Sequence, residues 1–598
     1  MKNDEKYLGG GFSLIQEVED KKGMSFFAEN WTPDVSMIYN AARDFVSIEC
    51  GDKVNKLEEQ TALMRLAANQ GFTAAHIDEE YGGLGLGVVA NTALSEGIST
   101  LGGSFNTTFA AHIGIGMLPI YYFGTEEQKK IYLPRLISAE MIASYCLTEP
   151  DSGSDALAAK TTAMISKDGK HYLINGQKMW ITNAGFADLF IVFAKVDGAK
   201  FTCFLVEADT PGIRLGEEEK KMGIKASSTR QVFFEDVKVP MENVLGEIGK
   251  GHLIAFNVLN IGRYKLGVMC LGGASTIIQR SVEYASQRYQ FGQAIAEFGA
   301  IKHKLAEQQK KIFVLDSLVY QLAYVLDSIE KNFEGKGFSK AQASLEAAKE
   351  MALECAVVKV VGSECVSYCA DENIQIHGGM GFSEETDAPM IYRDARINRI
   401  YEGTNEINRL LIVSRLGKMA TDNHNSFFEI LQDSYKLFMN GDNELDEDSS
   451  TSLEHATQHY RKAVLILIAH CFTYQAMGKI DLEEDQQTAM AIADVVIEWM
   501  SLDSVFDRLS SLQGQTNNNR AAEIIALLQM NQLHRTLLDK GTQSFLSTLR
   551  ESDKNEYNLL RKWQDSLVWR VREESSLRTE LANMVIKKRY NLFRNPRS

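Results

Sequence analysis

The sequence predicts an α+β chain that is mostly α, in four blocks. These are an N-terminal helical domain at 30–140, a central β-barrel or sandwich at 141–250, a four-helix bundle at 251–420 and, after an acidic linker at 421–453, an additional C-terminal helical domain at 454–598. Three observations predict it. The eight prolines stand at 33, 119, 134, 150, 211, 240, 389 and 596. Proline breaks helix interiors, so the gaps 241–388 and 390–595 are free to hold long helices. Residues 141–245 are instead short runs rich in β-branched and aromatic residues. No alternation of strand with helix recurs, which argues against a doubly wound dinucleotide fold.

Each block has its own pattern. Segments 35–48 and 55–70 carry apolar residues at three- and four-residue steps, the spacing of an amphipathic helix. The run Glu80 to Gly87, EYGGLGLG, looks like a phosphate loop on paper, but no strand precedes it, so it reads as a tight break between helices. In 161–174, Asp168-Gly169 sits between alternating runs, a hairpin signal. Segments 190–196, 201–207 and 231–239 read as strands. Segments 256–288, 302–331 and 339–371 are each thirty-odd residues without proline, and 390–418 supplies the fourth helix of a bundle. Residues 440–452 are acidic and polar, the composition of a linker, and 454–590 returns to helix. No repeat of 20–50 residues is found.

Composition excludes several classes. The 598 residues are 45% hydrophobic and 24% charged, with a net charge of −16; no basic stripe appears in the first 550, so nucleic acid is not an expected partner. The eight cysteines form no CxxC and no Cys/His cluster, so no metal site is expected, and they read as buried thiols of a reducing compartment. The opening MKNDEKYLGGGFSLIQEVED resembles neither a signal nor a transit peptide, and no apolar run approaches the ~18 residues of a bilayer span. The expectation is a cytoplasmic protein. Lys587-Lys588-Arg589 through Arg594 and Arg597 form a basic segment, read as a solvated helix end.

Four stretches carry chemistry. Tyr145 to Asp155, YCLTEPDSGSD, offers backbone N–H groups and the hydroxyls of Thr148 and Ser154 to a flat ligand or a phosphate; alone it is also a good surface turn. In 175–183, NGQKMWITN, Trp180 is either core or the wall of an aromatic ring, with Thr182 two residues on to hydrogen-bond it. In 288–292, RYQFG, Arg288 beside Phe291 suits a pyrophosphate, or is a cation at a helix end. Gln375 to Arg409 holds Gly378, Gly379 and Gly381, which permit close backbone approach, and then Tyr401-Glu402-Gly403-Thr404. Glu402 stands among Arg393, Arg396, Arg399 and Arg409 and is the candidate catalytic base. Taken singly, a Glu before Gly is more often solvent-exposed.

TEPDSGSD, NGQKMWITN, RYQFG, QIHGGMGF and YEGTNEI, in this order, resemble the acyl-CoA dehydrogenase family from about residue 35 to 420. KKMGIKAS (220–227), LNIGR (259–263) and the helical extension make the chain similar to the very-long-chain branch. The resemblance implies that family's fold, FAD as cofactor, and desaturation of acyl-CoA thioesters in fatty acid β-oxidation. The family's base matches Glu402. Relatives with their base on the LNIGR helix would carry it at Gly262, which has no side chain. By the same resemblance Tyr145, Leu147, Thr148, Gly153 and Ser154 line the FAD, and Trp180, Ile181 and Thr182 flank its ring. Arg288, Phe291, Gln375, His377, Gly378 and Gly379 reach the FAD of a neighbouring subunit, and Thr404, Asn405 and Glu406 lie near the adenine-side phosphates. Asn260, Arg263, Ser154, Tyr401 and Gly403 contact the CoA portion or thioester. A homodimer follows, because Arg288 would serve the partner's flavin, with the extension covering the second contact surface of tetrameric relatives.

The helix expected at 104–118 forms the far end of the acyl pocket. Small residues at Thr107 and Ala111 imply room for long chains, with Phe105 and Phe109 as possible obstructions. Long-chain relatives carry a membrane-binding segment where this chain has acidic Asp442 to Asp448, which an anionic membrane repels. The implied electron acceptor is an electron-transfer flavoprotein. The alternatives are an acyl-CoA oxidase, whose relatives also carry an added helical domain, and a non-catalytic scaffold on the same fold.

Overall fold

The computed structural model describes residues 26–421, 426–440, 452–512, 519–549, 554–567, 569 and 571–594. The N-terminal helical domain comprises α1 (Pro33–Asp44), α2 (Gln60–Asn69), α3 (Val88–Ile98), α4 (Gly103–Ala110), α5 (Leu118–Phe123) and α6 (Glu126–Ile137). Thr32 caps α1, its hydroxyl accepting from Val35 N at 3.3 Å with proline at the first helical position. The glycine-rich run at 80–87 is the expected break: Gly82 and Gly85 have φ of 88° and 58°. A Cβ on Gly83 would lie 1.9 Å from the Ile77 carbonyl oxygen.

The β-domain contains β1 (Ala143–Cys146), β2 (Thr162–Ile165), β3 (His171–Thr182), β4 (Leu189–Val196), β5 (Lys200–Glu207), β6 (Ile213–Leu215), β7 (Thr229–Pro240) and β8 (Val244–Leu245). Strand order is β6-β7-β3-β2-β4-β5-β8, with β1 also pairing β4 in parallel. The Asp168-Gly169 turn joins β2 to β3 as expected. Strand period sorts β4 onto two cores: Phe190, Val192 and Ala194 pack inside the curled sheet, and Leu189, Ile191 and Phe193 pack on helices. This second face ties the β-domain to α5, α6 and the first bundle helix.

The bundle is α7 (Gly251–Gln287), α8 (Gly299–Gly335), α9 (Lys340–Glu350) with α10 (Ala352–His377), and a fourth arm of α11 (Gly379–Phe382), α12 (Ala388–Arg396) and α13 (Asn405–Thr421). A hairpin, β9 (Tyr289–Gln290) and β10 (Gln293–Ala294), joins α7 to α8. Two expected helices are therefore broken. The third is interrupted at Met351. The fourth opens at 400–404, where Glu402 and Gly403 have φ of 58° and 81°, a left-handed backbone no helix accommodates. Among the described residues one helix, α8, is long and apolar enough to cross a membrane, contrary to the expectation, and is largely buried in the bundle.

The expected linker at 421–453 contains a helix, α14 (Ser426–Asn440). Its Phe427, Leu431 and Phe438 recur on one helical face and are buried. The acidic run at 442–448 lies outside the described residues. The extension continues as α15 (Leu453–Ala476), α16 (Gln486–Ser511), α17 (Asn519–Thr536), α18 (Thr542–Leu546), α19 (Lys554–Asp565) and α20 (Glu574–Lys588). It shares one apolar core with the bundle: Phe313 and Val357 belong to the same buried cluster as Trp499, Leu533 and Trp563. All eight cysteines are buried and unpaired.

The basic segment divides. Lys587, Lys588 and Arg589 are exposed, as expected of a solvated helix end, but Arg594 is buried. Its guanidinium donates to both oxygens of Glu96 at 3.0 Å and pairs with Asp316 at 2.7 Å. Arg508, itself fully buried, pairs with Glu29 at 2.6 Å. Charges this deep persist because each finds an opposite charge. Arg597 lies outside the described residues.

Candidate active site

The site gathers around the gap between α12 and α13. Glu402 sits in a left-handed turn whose backbone three side chains hold. Arg263, on α7, donates Nε to the Glu402 carbonyl at 3.3 Å and Nη1 to Asn260 Oδ1 at 2.8 Å. Lys359, on α10, donates Nζ to the Gly403 carbonyl at 2.7 Å and to Asn405 Oδ1 at 2.8 Å. Asn408 donates to the Gly403 and Thr404 carbonyls at 2.9 and 3.0 Å. The Glu402 carboxylate lies over Gly262, where a Cβ would stand 2.5 Å from Oε2. That glycine does more than lack a side chain: it makes room for this carboxylate.

Glu402 Oε2 is buried and has no hydrogen-bond partner. Burial pushes its pKa up to about 7, against the opposing pull of Arg263 and Lys359. Lys359 is itself lowered to about 8, chiefly by burial. The Glu402 N–H meets no acceptor among the described residues. Tyr401 donates its hydroxyl to Asn398 at 2.8 Å and borders a cavity of about 180 Å³ that Thr107, Cys270 and Val366 also line. Ala111 does not line it. Phe105 and Phe109 do not obstruct it either: they turn into the N-terminal core, where Phe105 packs on Phe45.

The second group comes from β1 and β3. Tyr145 and Leu147 are buried, while Gly153 and Ser154 are exposed. The loop is braced from beneath by Lys178, whose buried Nζ donates to the Leu147 carbonyl at 3.1 Å and pairs with Glu149 at 2.7 Å. Met179 N donates to the Thr148 carbonyl at 2.9 Å. A register shift in β3 between Lys178 and Ile181 turns the chain, leaving Trp180 at φ 56° and 58% exposed. Ile181 points into the sheet core instead. Thr182 is half-buried, and its carbonyl accepts from Ser144 Oγ at 2.8 Å. Tyr145 joins this group to the first: its hydroxyl is buried without a partner, and Glu402 is among the charges it feels.

The third group stands apart. Arg288 follows the last residue of α7, and His377 ends α10. The His377 ring stacks on Tyr284 of α7 at 4.0 Å, which ties the end of α10 to the last turns of α7. At its tip Phe291 and Gly292 both have positive φ, 52° and 84°, a two-residue turn, and Phe291 is 93% exposed. No hydrogen bond or ring contact among the described residues joins this group to Glu402 or Trp180. Of the residues expected at the adenine-side phosphates, Asn405 is committed within the protein: it accepts from Lys359 and Ser363 and donates to Glu364 at 3.0 Å. Thr404 caps α13, accepting from Ile407 N at 3.2 Å, and Glu406 remains exposed.

Sequence reasoning missed Lys359, Asn408 and the Lys178–Glu149 pair. The signal for Lys359 was a single charge inside the apolar run Ala356-Val357-Val358-Lys359-Val360-Val361. The residues present fit FAD. Trp180 presents a strained, exposed indole, the Tyr145 hydroxyl is buried without a partner among the described residues, and Gly153 has open space around it, features that suit a flat polar group.

Comparison with known proteins gives the same reading. The N-terminal, middle and C-terminal domains of acyl-CoA dehydrogenase match residues 32–140, 144–237 and 249–417. A probable acyl-CoA dehydrogenase of Bacillus subtilis is 41% identical over 86% of each chain. The very long-chain specific acyl-CoA dehydrogenase of Rattus norvegicus is 42% identical over 60% of this chain and 53% of its own length. A crystal structure of an acyl-CoA dehydrogenase complexed with FAD, from Bacillus anthracis, covers 98% of this chain and all of its own, with a TM-score of 0.92 at 36% identity. With all three family domains matched and likeness along nearly its whole length, the chain belongs to the acyl-CoA dehydrogenase family of FAD-dependent oxidoreductases.

Proposed function

We propose that the protein desaturates long-chain acyl-CoA thioesters between the α and β carbons, with Glu402 as the base, and passes the electrons to an electron-transfer flavoprotein. The observation that carries this is the unpartnered, desolvated Oε2 of Glu402, poised near pH 7 by burial. A carboxylate held there removes the α-proton of a bound thioester. Bound FAD supplies the acceptor for the β-hydrogen. The free Glu402 N–H donates to the thioester oxygen as negative charge develops on it. Arg263, Lys359 and Asn408 fix the turn, so that the carboxylate and the N–H keep their relative placement through the reaction. Trp180 and Tyr145 exclude water from the reacting face.

Likeness to the very long-chain specific relatives supports the long-chain reading; Phe105 and Phe109, turned into the N-terminal core, do not oppose it. The exposed Phe291, with Phe382 at 87% exposure, supports a homodimer in which this face is covered. The test is anaerobic bleaching of the flavin across acyl-CoA lengths. Bleaching that grows with chain length supports the reading, and none with any acyl-CoA refutes it. Rapid peroxide formation without an added acceptor assigns the oxidase reaction instead.

A further inference from the structure

Away from Glu402, a groove of about 1230 Å³ lies between α13, α14 and α15. Ligand pockets run from ~300 to ~1,000 Å³, so this one has room for an elongated molecule. Val413, Phe428, Leu431 and Phe472 wall it. Its hydroxyls are largely turned away from a ligand: Thr421 Oγ1 donates to the Gly417 carbonyl at 3.0 Å, Thr473 Oγ1 to the Ala469 carbonyl at 2.7 Å, and Tyr435 OH meets His470 Nδ1 at 3.1 Å. Lys418 and Lys436 also line it, both exposed and neither in an ion pair among the described residues. One carboxylate, Glu483, lines it too. In a chain of net charge −16, two unpaired cations beside an apolar trough are a specific combination.

We propose that this groove binds a single alkyl chain with an anionic head, its tail against the apolar walls and its head at Lys418 and Lys436. The chemistry follows from the lining. The apolar walls offer an alkyl tail burial at ~25 cal/mol per Å²; Ser414, Gln432 and Gln475, whose buried Oε1 has no partner among the described residues, add polar groups to the lining. The lysines select the sign of the head. A free fatty carboxylate and an acyl-CoA share this chemistry, and the site is separate from the one Glu402 serves.

The test uses the FAD-loaded full chain. Palmitate is titrated by calorimetry and by displacement of a fluorescent fatty acid, with palmitoyl-CoA titrated in parallel on a Glu402→Gln background. Two variants address the groove: Lys418→Glu with Lys436→Glu, which reverses the head site, and Ala476→Trp, which fills the trough from an exposed lining position. The expected result is saturable palmitate binding, weakened at least tenfold by either variant, with turnover of a short acyl-CoA unchanged. Groove-sensitive binding confined to palmitoyl-CoA assigns the thioester as the source of the same chemistry. No saturable binding of either ligand overturns the proposal, whether the groove stays empty or is filled by the chain's own residues. Binding indifferent to both variants also overturns it. None of these outcomes alters the flavin-bleaching test of Glu402.

Discussion

At Glu402 the burial that raises the carboxyl also costs stability. A carboxyl raised to about 7 binds its proton more tightly folded than unfolded. Its contribution is therefore fully present below the unfolded value of ~4.3 and is lost as pH rises through about 7. Glu402→Gln is expected to melt higher than the parent at pH 8 and to flatten the dependence of melting temperature on pH between 5 and 8. It is expected to keep FAD and to slow flavin bleaching by ~10²–10⁴-fold. In the parent the bleaching rate should climb about tenfold per pH unit below 7 and level off above it, as ionised base becomes available. Gly262→Ala tests the room around the base. A methyl 2.5 Å from Oε2 must displace the carboxylate, with an expected loss of ~10²-fold in bleaching rate and normal flavin content. Glu402 was legible as a candidate base because it stands in a motif with glycine after it. The need for Gly262 was not, because a steric clearance across 140 positions of sequence leaves no local pattern.

Among the elements, the strands were legible and the helix interruptions were not. β4 and β5 are short apolar runs bounded by turns, so alternation and length identify them. The fourth bundle helix reads as continuous because Ile400 to Thr404 contains no proline; the break is imposed from outside, by Lys359, Arg263 and Asn408 holding the turn open. Lys359→Met tests this. Leaving the Gly403 carbonyl and Asn405 short of a donor is expected to cost ~1–3 kcal/mol, read as a lower melting temperature. It should also lower the rate of bleaching more than the affinity for acyl-CoA, since the residue positions Glu402 and touches no substrate. The β9–β10 hairpin was half legible. Phe291-Gly292 was marked as a cofactor motif, but only the backbone shows its phenylalanine held at positive φ in solvent. Phe291→Asp is expected to shift the sedimentation coefficient toward that of a monomer.

On the scale of the whole molecule, the extension is a continuation of the bundle core, and the buried Glu96–Arg594–Asp316 cluster closes the arrangement. Arg594→Met leaves the buried Glu96 carboxylate without its guanidinium, while Asp316 keeps Arg508 at 3.5 Å, and is expected to cost ~3–5 kcal/mol. Adding Glu96→Gln should recover part of that loss, a coupling readable by chemical denaturation of the two variants and their combination. Composition could not foresee this, since a basic segment reads as solvated until its partners, hundreds of residues earlier, are known.

Glu96 and Arg594 lie 498 residues apart in the chain. A ribosome adding ~5–20 residues per second needs roughly 25–100 s to travel between them. Throughout that interval the nascent N-terminal helices carry a carboxylate whose counter-ion has not been made, so they cannot settle into their finished packing. The Glu96–Arg594–Asp316 cluster can therefore close only once residue 594 has been made, and a product stalled or clipped before it would lack this buried neutralisation.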